Sequence, residues 1–174
     1  LHPSLLPKYR GAAPIQWALI NGDKQTAVTT ISLSDKIDAG EILLQQVVDI
    51  KTDDNYGVLS NRLSEIGAKV VVKTLDRIGK NNLHGTLQDE DKVTLAPKII
   101  SNDYKIDWSK TAEQIHNQIR AFSPYPGAYT TFNRKRLKVF SSLIKNDSSK
   151  NLECGKIAIY NSNQLAIQTG NGLL

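Results

Sequence analysis

The chain opens on His2-Pro3-Ser4-Leu5-Leu6-Pro7-Lys8-Tyr9-Arg10-Gly11, a stretch in which a histidine precedes two prolines and closes on a glycine. Because proline lacks a backbone N–H and fixes φ, this stretch is incompatible with a helix or a central strand. The sequence therefore predicts a rigid, extended loop that presents the imidazole of His2.

The segment after this loop is predicted to form part of an α/β layer. A short helix is expected over 14–20, where a proline suits the first turn and Asn21-Gly22 ends the helix. Residues rich in β-branched side chains predict a strand over 26–33, and a second strand is expected over 41–50. Capping residues at 52–55, with Asn55 the last of them, precede a long helix with an apolar stripe over 56–77. Such an order is typical of helices packed on a sheet.

The second half is predicted to be a small β-barrel that follows one helix. Thr111 and Gln114 have the spacing of a capping box at the start of that helix. Short β-like runs come next, separated by turn-forming pairs that include Asn133-Arg134 and Asn146-Asp147, a spacing typical of a small barrel. The runs lie at 128–132, 137–143, 156–160 and 165–169. A polar segment over 84–102 is predicted to link the two halves along the surface.

Composition and charge limit the class of protein. The 174 residues are 40% hydrophobic, enough for a packed core, and no apolar run approaches the roughly 18–20 residues of a membrane span. Because no apolar run is that long, no membrane partner is predicted. Cys154 is the single cysteine, so an intramolecular disulfide is excluded and a reducing compartment is favoured. We interpret the Cys154 side chain as a solvent-shielded structural thiol.

Positive charge is concentrated in the second half of the chain. Residues 1–88 carry a net charge of +1, whereas residues 89–174 carry +4. Several of these basic side chains fall in one short segment: Arg134, Lys135, Arg136 and Lys138. The pattern suggests a polyanionic partner, most often a nucleic acid, and a solvated surface face is the alternative.

The chemistry that the residues favour is proton transfer by a histidine and a carboxylate. The few histidines and the one cysteine lack the spacing of a zinc site, and the glycines form no phosphate-binding loop, so no metal is predicted. Asp38 is the best carboxylate candidate, because Gly40 allows the backbone to turn close to a ligand. A carboxylate beside His2 would hold its tautomer and favour its charged form. The alternative is an aspartate that only caps a turn.

The opening stretch, extended to Trp17, resembles the signature of the folate-dependent formyltransferases. Further similarity follows in Ile37-Asp38-Ala39-Gly40-Glu41-Ile42-Leu43 and, in the second half, over 96–99, 106–109 and 115–128. The second-half motifs are most similar to the branch of the family that acts on methionyl-tRNA.

This resemblance implies a domain organisation. Residues 1–83 would be the C-terminal half of a Rossmann-like formyltransferase domain, 84–102 a linker, and 103–174 an OB-like tRNA-binding domain that is cut short. The family's active site also has an asparagine two residues before the histidine, a position that falls before Leu1. The sequence is therefore expected to be a fragment that is inactive alone.

The resemblance also implies a reaction and its residues. His2 and Asp38 match the catalytic histidine and aspartate. The segment that lines the folate site is matched by Ser4, Leu5, Leu6 and Pro7. The implied activity transfers a formyl group from the cosubstrate 10-formyltetrahydrofolate, without a metal, to the amino group of initiator methionyl-tRNA for translation initiation. The basic segment 134–138 would contact tRNA phosphates.

Several alternatives to this activity stay open. One is the same chemistry on an amino sugar, another is hydrolysis of formyltetrahydrofolate, and a third is a noncatalytic nucleic-acid-binding fragment. The protein is expected to be a monomer in a bacterial cytoplasm, and a mitochondrial or plastid origin is left open.

Overall fold

The computed structural model shows an α/β chain that divides into two compact units. The described residues are 1–145, 152–161 and 163–174. The first unit comprises Leu1–Leu19 and Asp23–Ile99, and the second comprises Ile20–Gly22 and Ile100–Leu174. The boundary between the two units, after Ile99, falls within the predicted linker, 84–102. The bounds of that linker stay a prediction.

The helices and strands alternate along the chain. In order they are β1 (Arg10–Gly11), α1 (Pro14–Ile20), β2 (Gln25–Ile31), β3 (Ile42–Asp49), α2 (Tyr56–Gly79), β4 (Leu95–Ala96), α3 (Ala112–Ala121), β5 (Ala128–Phe132), β6 (Lys135–Val139), β7 (Ile157–Tyr160) and β8 (Leu165–Ile167). In the part of the chain that the structure describes, none of the helices is long and apolar enough to cross a membrane.

The first unit is built on the antiparallel pair of β2 and β3, against which α2 packs. The central residues of β2 are buried, which places this strand in the core. Helix α2 begins after Asn55, whose side chain accepts a hydrogen bond from the Val58 N–H. Its buried positions recur at helical spacing, so one apolar stripe faces the strands. These positions are Leu59, Leu63, Gly67, Val70 and Thr74. The predicted strands and helices of this unit are thereby confirmed.

The polar segment before Ile99 returns to the first unit. Thr86 exchanges backbone hydrogen bonds with Ile42, at 2.8 and 2.9 Å. Farther along, β4 pairs in parallel with β1. Pairs this short carry no hydrophobic periodicity, so no sequence pattern predicts β1 or β4.

The second unit is organised around α3 and two hairpins. The predicted capping box is confirmed, because the Thr111 side chain accepts from the Gln114 N–H and the Gln114 side chain accepts from the Thr111 N–H. The buried face of α3 includes Ile115 and Ile119, and Phe122 follows the helix with its ring edge against Tyr104.

The predicted β-runs of this unit correspond to two antiparallel hairpins, β5–β6 and β7–β8, but β6 begins two residues before its predicted run and ends at Val139 instead of residue 143, and β8 ends two residues early. Asn133 and Arg134 connect β5 to β6 with φ of 48° and 62°, the left-handed conformation that a two-residue type I′ turn requires. Among the described residues the hairpins form separate two-stranded sheets. The turn predicted at 146–147 lies outside the described residues. An OB-like barrel stays a prediction.

One prediction for this unit is wrong. Cys154 was expected to be shielded from solvent, but the structure leaves it exposed. Cys154 lies in a short loop before β7 and not on the buried face of a strand or helix. The sequence alone does not indicate which of these positions a lone cysteine takes.

Candidate active site

His2 is fixed against β2 at the buried side of the first unit. Its backbone N–H donates to the Thr29 carbonyl and its carbonyl accepts from the Thr29 N–H, at 2.8 and 2.9 Å. The residue is only 5% exposed. Its Nε2 lies 2.8 Å from the carbonyl oxygen of Tyr9. A carbonyl oxygen can only accept, so Nε2 carries a hydrogen and the Tyr9 carbonyl fixes the tautomer.

Asp38 faces the other ring nitrogen of His2. Its Oδ2 lies 3.5 Å from His2 Nδ1 and also accepts the Gly11 N–H at 2.9 Å. The separation of 3.5 Å exceeds a direct hydrogen bond, so Nδ1 remains available to an incoming donor. The Asp38 side chain is 23% exposed, against 7% for His2, and therefore reaches solvent first. The structure brings the two predicted residues together, and their catalytic role stays a prediction.

The backbone around Asp38 is held in an unusual conformation. Asp38 has φ of +53°, which lies in the left-handed region that most residues avoid. The side-chain amide of Gln88 donates to the carbonyl oxygens of Asp38 and Gly40, at 2.8 and 2.7 Å. The Gln88 carbonyl oxygen in turn accepts from Nε and Nη2 of Arg10, at 3.0 and 2.9 Å.

Sequence reasoning missed both Gln88 and Arg10. Gln88 lies in the polar segment that was interpreted as a linker, and a single buried glutamine there leaves no pattern to recognise. The sequence places Arg10 in the opening loop and indicates no particular partner for it. Only the pairing of Arg10 with Gln88 would indicate their role, and the two residues are 78 positions apart in the sequence.

The segment predicted to line a folate site divides into buried and accessible side chains. Ser4 is fully buried and its hydroxyl donates to the Lys8 carbonyl at 2.6 Å, and Leu6 is 3% exposed. Leu5 and Pro7 are half-buried. Ser4 and Leu6 therefore anchor the loop, while Leu5 and Pro7 offer apolar surface.

The predicted basic cluster lies on the β5–β6 hairpin, and its side chains point to different faces. Lys138 is paired with Tyr129, and the Arg136 guanidinium lies 3.9 Å from the centroid of the Tyr129 ring. Because side chains alternate along a strand, Arg136 and Lys138 share the Tyr129 face and Lys135 lies on the opposite one. Arg134 occupies the turn. All four basic residues are exposed.

The other two histidines, His84 and His116, differ in their surroundings. His116 is half-buried, and its Nδ1 lies 2.9 Å from Ser142 Oγ. Burial lowers the pKa of His116, and the Arg120 charge adds to this. His84 is exposed. Within the residues that the structure describes, no group of three or more histidine, cysteine, aspartate or glutamate side chains is placed to hold a metal ion.

An imidazole beside a carboxylate, both fixed at the edge of a helix-covered sheet, is an arrangement suited to proton transfer during group transfer. The family described as Formyl transferase matches residues 1–75, and the one described as Formyl transferase, C-terminal domain, matches residues 98–174. The chain belongs to the formyltransferase family.

Within this family the chain is similar to enzymes named methionyl-tRNA formyltransferase. It is 40% identical over 173 residues to that of Lactococcus lactis, an alignment that covers 99% of this chain and 54% of the relative. It is 44% identical over 167 residues to that of Lactobacillus acidophilus, covering 96% and 52%. The chain thus spans about half the length of the curated relatives it matches.

Solved formyltransferases share the fold at lower identity. The N-formyltransferase of Helicobacter canadensis, solved with folinic acid and dTDP-3-aminofucose, has a TM-score of 0.79 at 24% identity and covers 98% of this chain and 61% of its own. The methionyl-tRNA formyltransferase of Clostridium thermocellum has a TM-score of 0.65 at 18% identity, with coverages of 98% and 67%.

Proposed function

We propose that the protein transfers a formyl group from 10-formyltetrahydrofolate to the amino group of initiator methionyl-tRNA. The observation that carries this proposal is the contact of 3.5 Å between His2 Nδ1 and Asp38 Oδ2. Support for the substrate comes from sequence relatives at about 40% identity that are named for it. The activity would serve translation initiation in the cytoplasm.

The proposed reaction is an acyl transfer without a covalent enzyme intermediate. The methionyl amine attacks the formyl carbon and forms the new C–N bond, while the proton that it loses passes to His2 Nδ1. The bond between the formyl carbon and the folate nitrogen then breaks, His2 Nδ1 returns the proton to that nitrogen, and tetrahydrofolate leaves. General acid–base help of this kind contributes about 10²–10⁴-fold in rate.

Each neighbour of His2 has a part in this step. The Tyr9 carbonyl keeps the hydrogen on Nε2, so Nδ1 is the nitrogen that receives the proton. The Asp38 carboxylate stabilises the imidazolium that forms, because an opposite charge nearby favours the charged state. Its 23% exposure also allows it to meet the amine before the transfer.

The folate cosubstrate is proposed to lie along the segment from Ser4 to Pro7. Leu5 and Pro7 would contact it with their side chains, because these are the members of the segment that are not fully buried. Ser4 and Leu6 would contribute only through the backbone, since their side chains are in the core.

The second unit is proposed to be part of an OB-like domain that binds the phosphates of tRNA. Arg136 and Lys138 share one hairpin face with Tyr129, so cations and an aromatic ring lie side by side, as in nucleic-acid-binding surfaces. The protein is proposed to act as a monomer.

Neutralising this hairpin face should weaken tRNA binding. We expect Arg136→Gln with Lys138→Gln to weaken binding about 3–30-fold at low salt and to reduce the slope of log affinity against log salt by about 1–2, because fewer counterions are released. Kd values for methionyl-tRNA, measured at several salt concentrations, would test this.

A matched control removes the same charge elsewhere. Lys69 and Lys73 are exposed on α2 in the first unit, and the double change to glutamine there should leave the salt slope unchanged. Equal losses from the two double variants would refute a specific role for the hairpin face.

An assay of the protein as its gene encodes it separates the candidate substrates. The similarity of fold to an enzyme solved with dTDP-3-aminofucose makes an amino-sugar nucleotide the second candidate. With 10-formyltetrahydrofolate present, we expect N-formylmethionyl-tRNA to form and no formyl sugar. Formylation of the sugar nucleotide, or hydrolysis of the folate without an acceptor, would overturn the proposal.

A further inference from the structure

The loop that carries Asp38 is not held by apolar packing. Two of its large side chains, Leu33 and Ile37, are exposed by 102% and 78%. Asp38 itself adopts φ of +53°, in the left-handed region that residues with a Cβ seldom occupy. Such a conformation persists only where surrounding contacts determine it. The polar contacts of this loop must therefore fix the direction of the Asp38 carboxylate.

Gln88 supplies contacts of this kind. Its amide nitrogen donates to the carbonyl oxygens of Asp38 and Gly40, which lie on either side of Ala39. Its amide oxygen accepts two hydrogen bonds from Arg10. A glutamine has two donors and two acceptor positions, so this buried amide, only 9% exposed, is fully satisfied. Removal of any one bond would leave a buried polar group unpaired, which is costly.

Arg10 connects the same network to the Asp38 side chain. Its guanidinium is held between Gln88 and Glu90, with Nη2 2.8 Å from Glu90 Oε1. The hydrogen bonds that the Arg10 guanidinium donates to the Glu90 carboxyl lower the pKa of that carboxyl, because they favour its ionised form. The next residue, Gly11, donates its N–H to Asp38 Oδ2. The network therefore holds Asp38 at its backbone through Gln88 and at its carboxylate through Gly11.

We propose that Gln88, held by Arg10, is a positioning residue that directs the Asp38 carboxylate towards His2 Nδ1. Its catalytic consequence rests on the proposed function, whereas its structural consequence does not. Gln88 itself touches neither substrate nor His2, so it acts through Asp38.

The kinetic test is Gln88→Glu in the protein as encoded. A carboxylate still accepts from Arg10, but it cannot donate to the carbonyls of Asp38 and Gly40. We expect kcat for formyl transfer to fall about 10–10²-fold, because small misplacements of a catalytic group cost this much, with KM for both substrates within about twofold. Gln46→Glu makes the same charge change at an exposed position of β3 and should leave kcat unchanged.

A second arm distinguishes positioning from general structural support. If Gln88 acts through Asp38, then adding Gln88→Glu to Asp38→Asn should lower kcat by less than about threefold further. A further loss as large as that seen in the wild-type background would overturn the proposal.

The last arm does not depend on formyl transfer. The ¹⁵N resonance of His2 Nδ1 reports its contact with Asp38, and we expect Gln88→Glu to shift it in the same direction as Asp38→Asn does. Arg10→Lys keeps the charge but loses the planar fork that holds Gln88, so it should shift the His2 Nδ1 resonance in the same direction. This variant provides the test where Gln88→Glu folds poorly. An Nδ1 resonance that moves in Asp38→Asn but stays in both other variants would overturn the positioning role. Absence of formyl transfer with the resonance shifted would overturn only the proposed function.

Discussion

Asp38→Asn is expected to lower kcat for formyl transfer by about 10²–10⁴-fold and to leave the fold intact. Asparagine has almost the same shape, and its side-chain oxygen can still accept the Gly11 N–H that Asp38 Oδ2 accepts now. The negative charge that faces His2 Nδ1 at 3.5 Å is lost, so the imidazolium is no longer stabilised. KM for methionyl-tRNA should change little, because the charge acts in the transition state.

The measurement is a steady-state formylation assay with circular dichroism as a check of folding. Asp35→Asn is the matched control, since Asp35 lies in the same loop and is exposed. It should retain full turnover. Near-normal kcat in Asp38→Asn would contradict the role assigned to Asp38, whatever the result for Asp35→Asn.

Gly40→Ala is expected to destabilise the first unit by about 1–3 kcal/mol and to lower kcat at least tenfold. A Cβ at Gly40 would overlap the backbone carbonyl of Ser32, on the other arm of the loop. Because both groups belong to the backbone, relief requires the loop to open. The Gly40 carbonyl would then move away from Gln88, and Asp38 with it.

Gly79→Ala provides the opposite case on the same unit. Gly79 is the last residue of α2, and a Cβ there meets nothing within 4 Å. Alanine favours helix over glycine, so we expect stability to rise by up to about 1 kcal/mol with kcat unchanged. Urea unfolding measures both variants. Equal stability of the two would refute the steric reason given for Gly40.

Most of the local structure could be predicted from the sequence, because local signals carry it. Asn55 and Thr111 cap helices through their own side chains, and each precedes an apolar stripe of helical spacing. Asn133 and Arg134 form a turn between two β-like runs. These features depend on residues a few positions apart, so pattern and propensity are sufficient to find them.

The candidate site was predictable only in part. His2 and Asp38 could be chosen as partners from residue type, glycine spacing and resemblance, and the structure places them together. The pattern could not separate Ser4 and Leu6, which anchor the loop, from Leu5 and Pro7. Burial decides that difference, and burial depends on which strand lies behind the loop.

The sequence by itself determined the helices, the strands, the hairpin turn and the family to which the chain belongs. Only the tertiary structure decided that Gln88 returns to the Asp38 loop and that Arg10 holds it there. The physical reason is separation along the chain. A hydrogen bond between residues 78 positions apart leaves no periodic trace in the sequence, and it forms only when the fold brings both ends together.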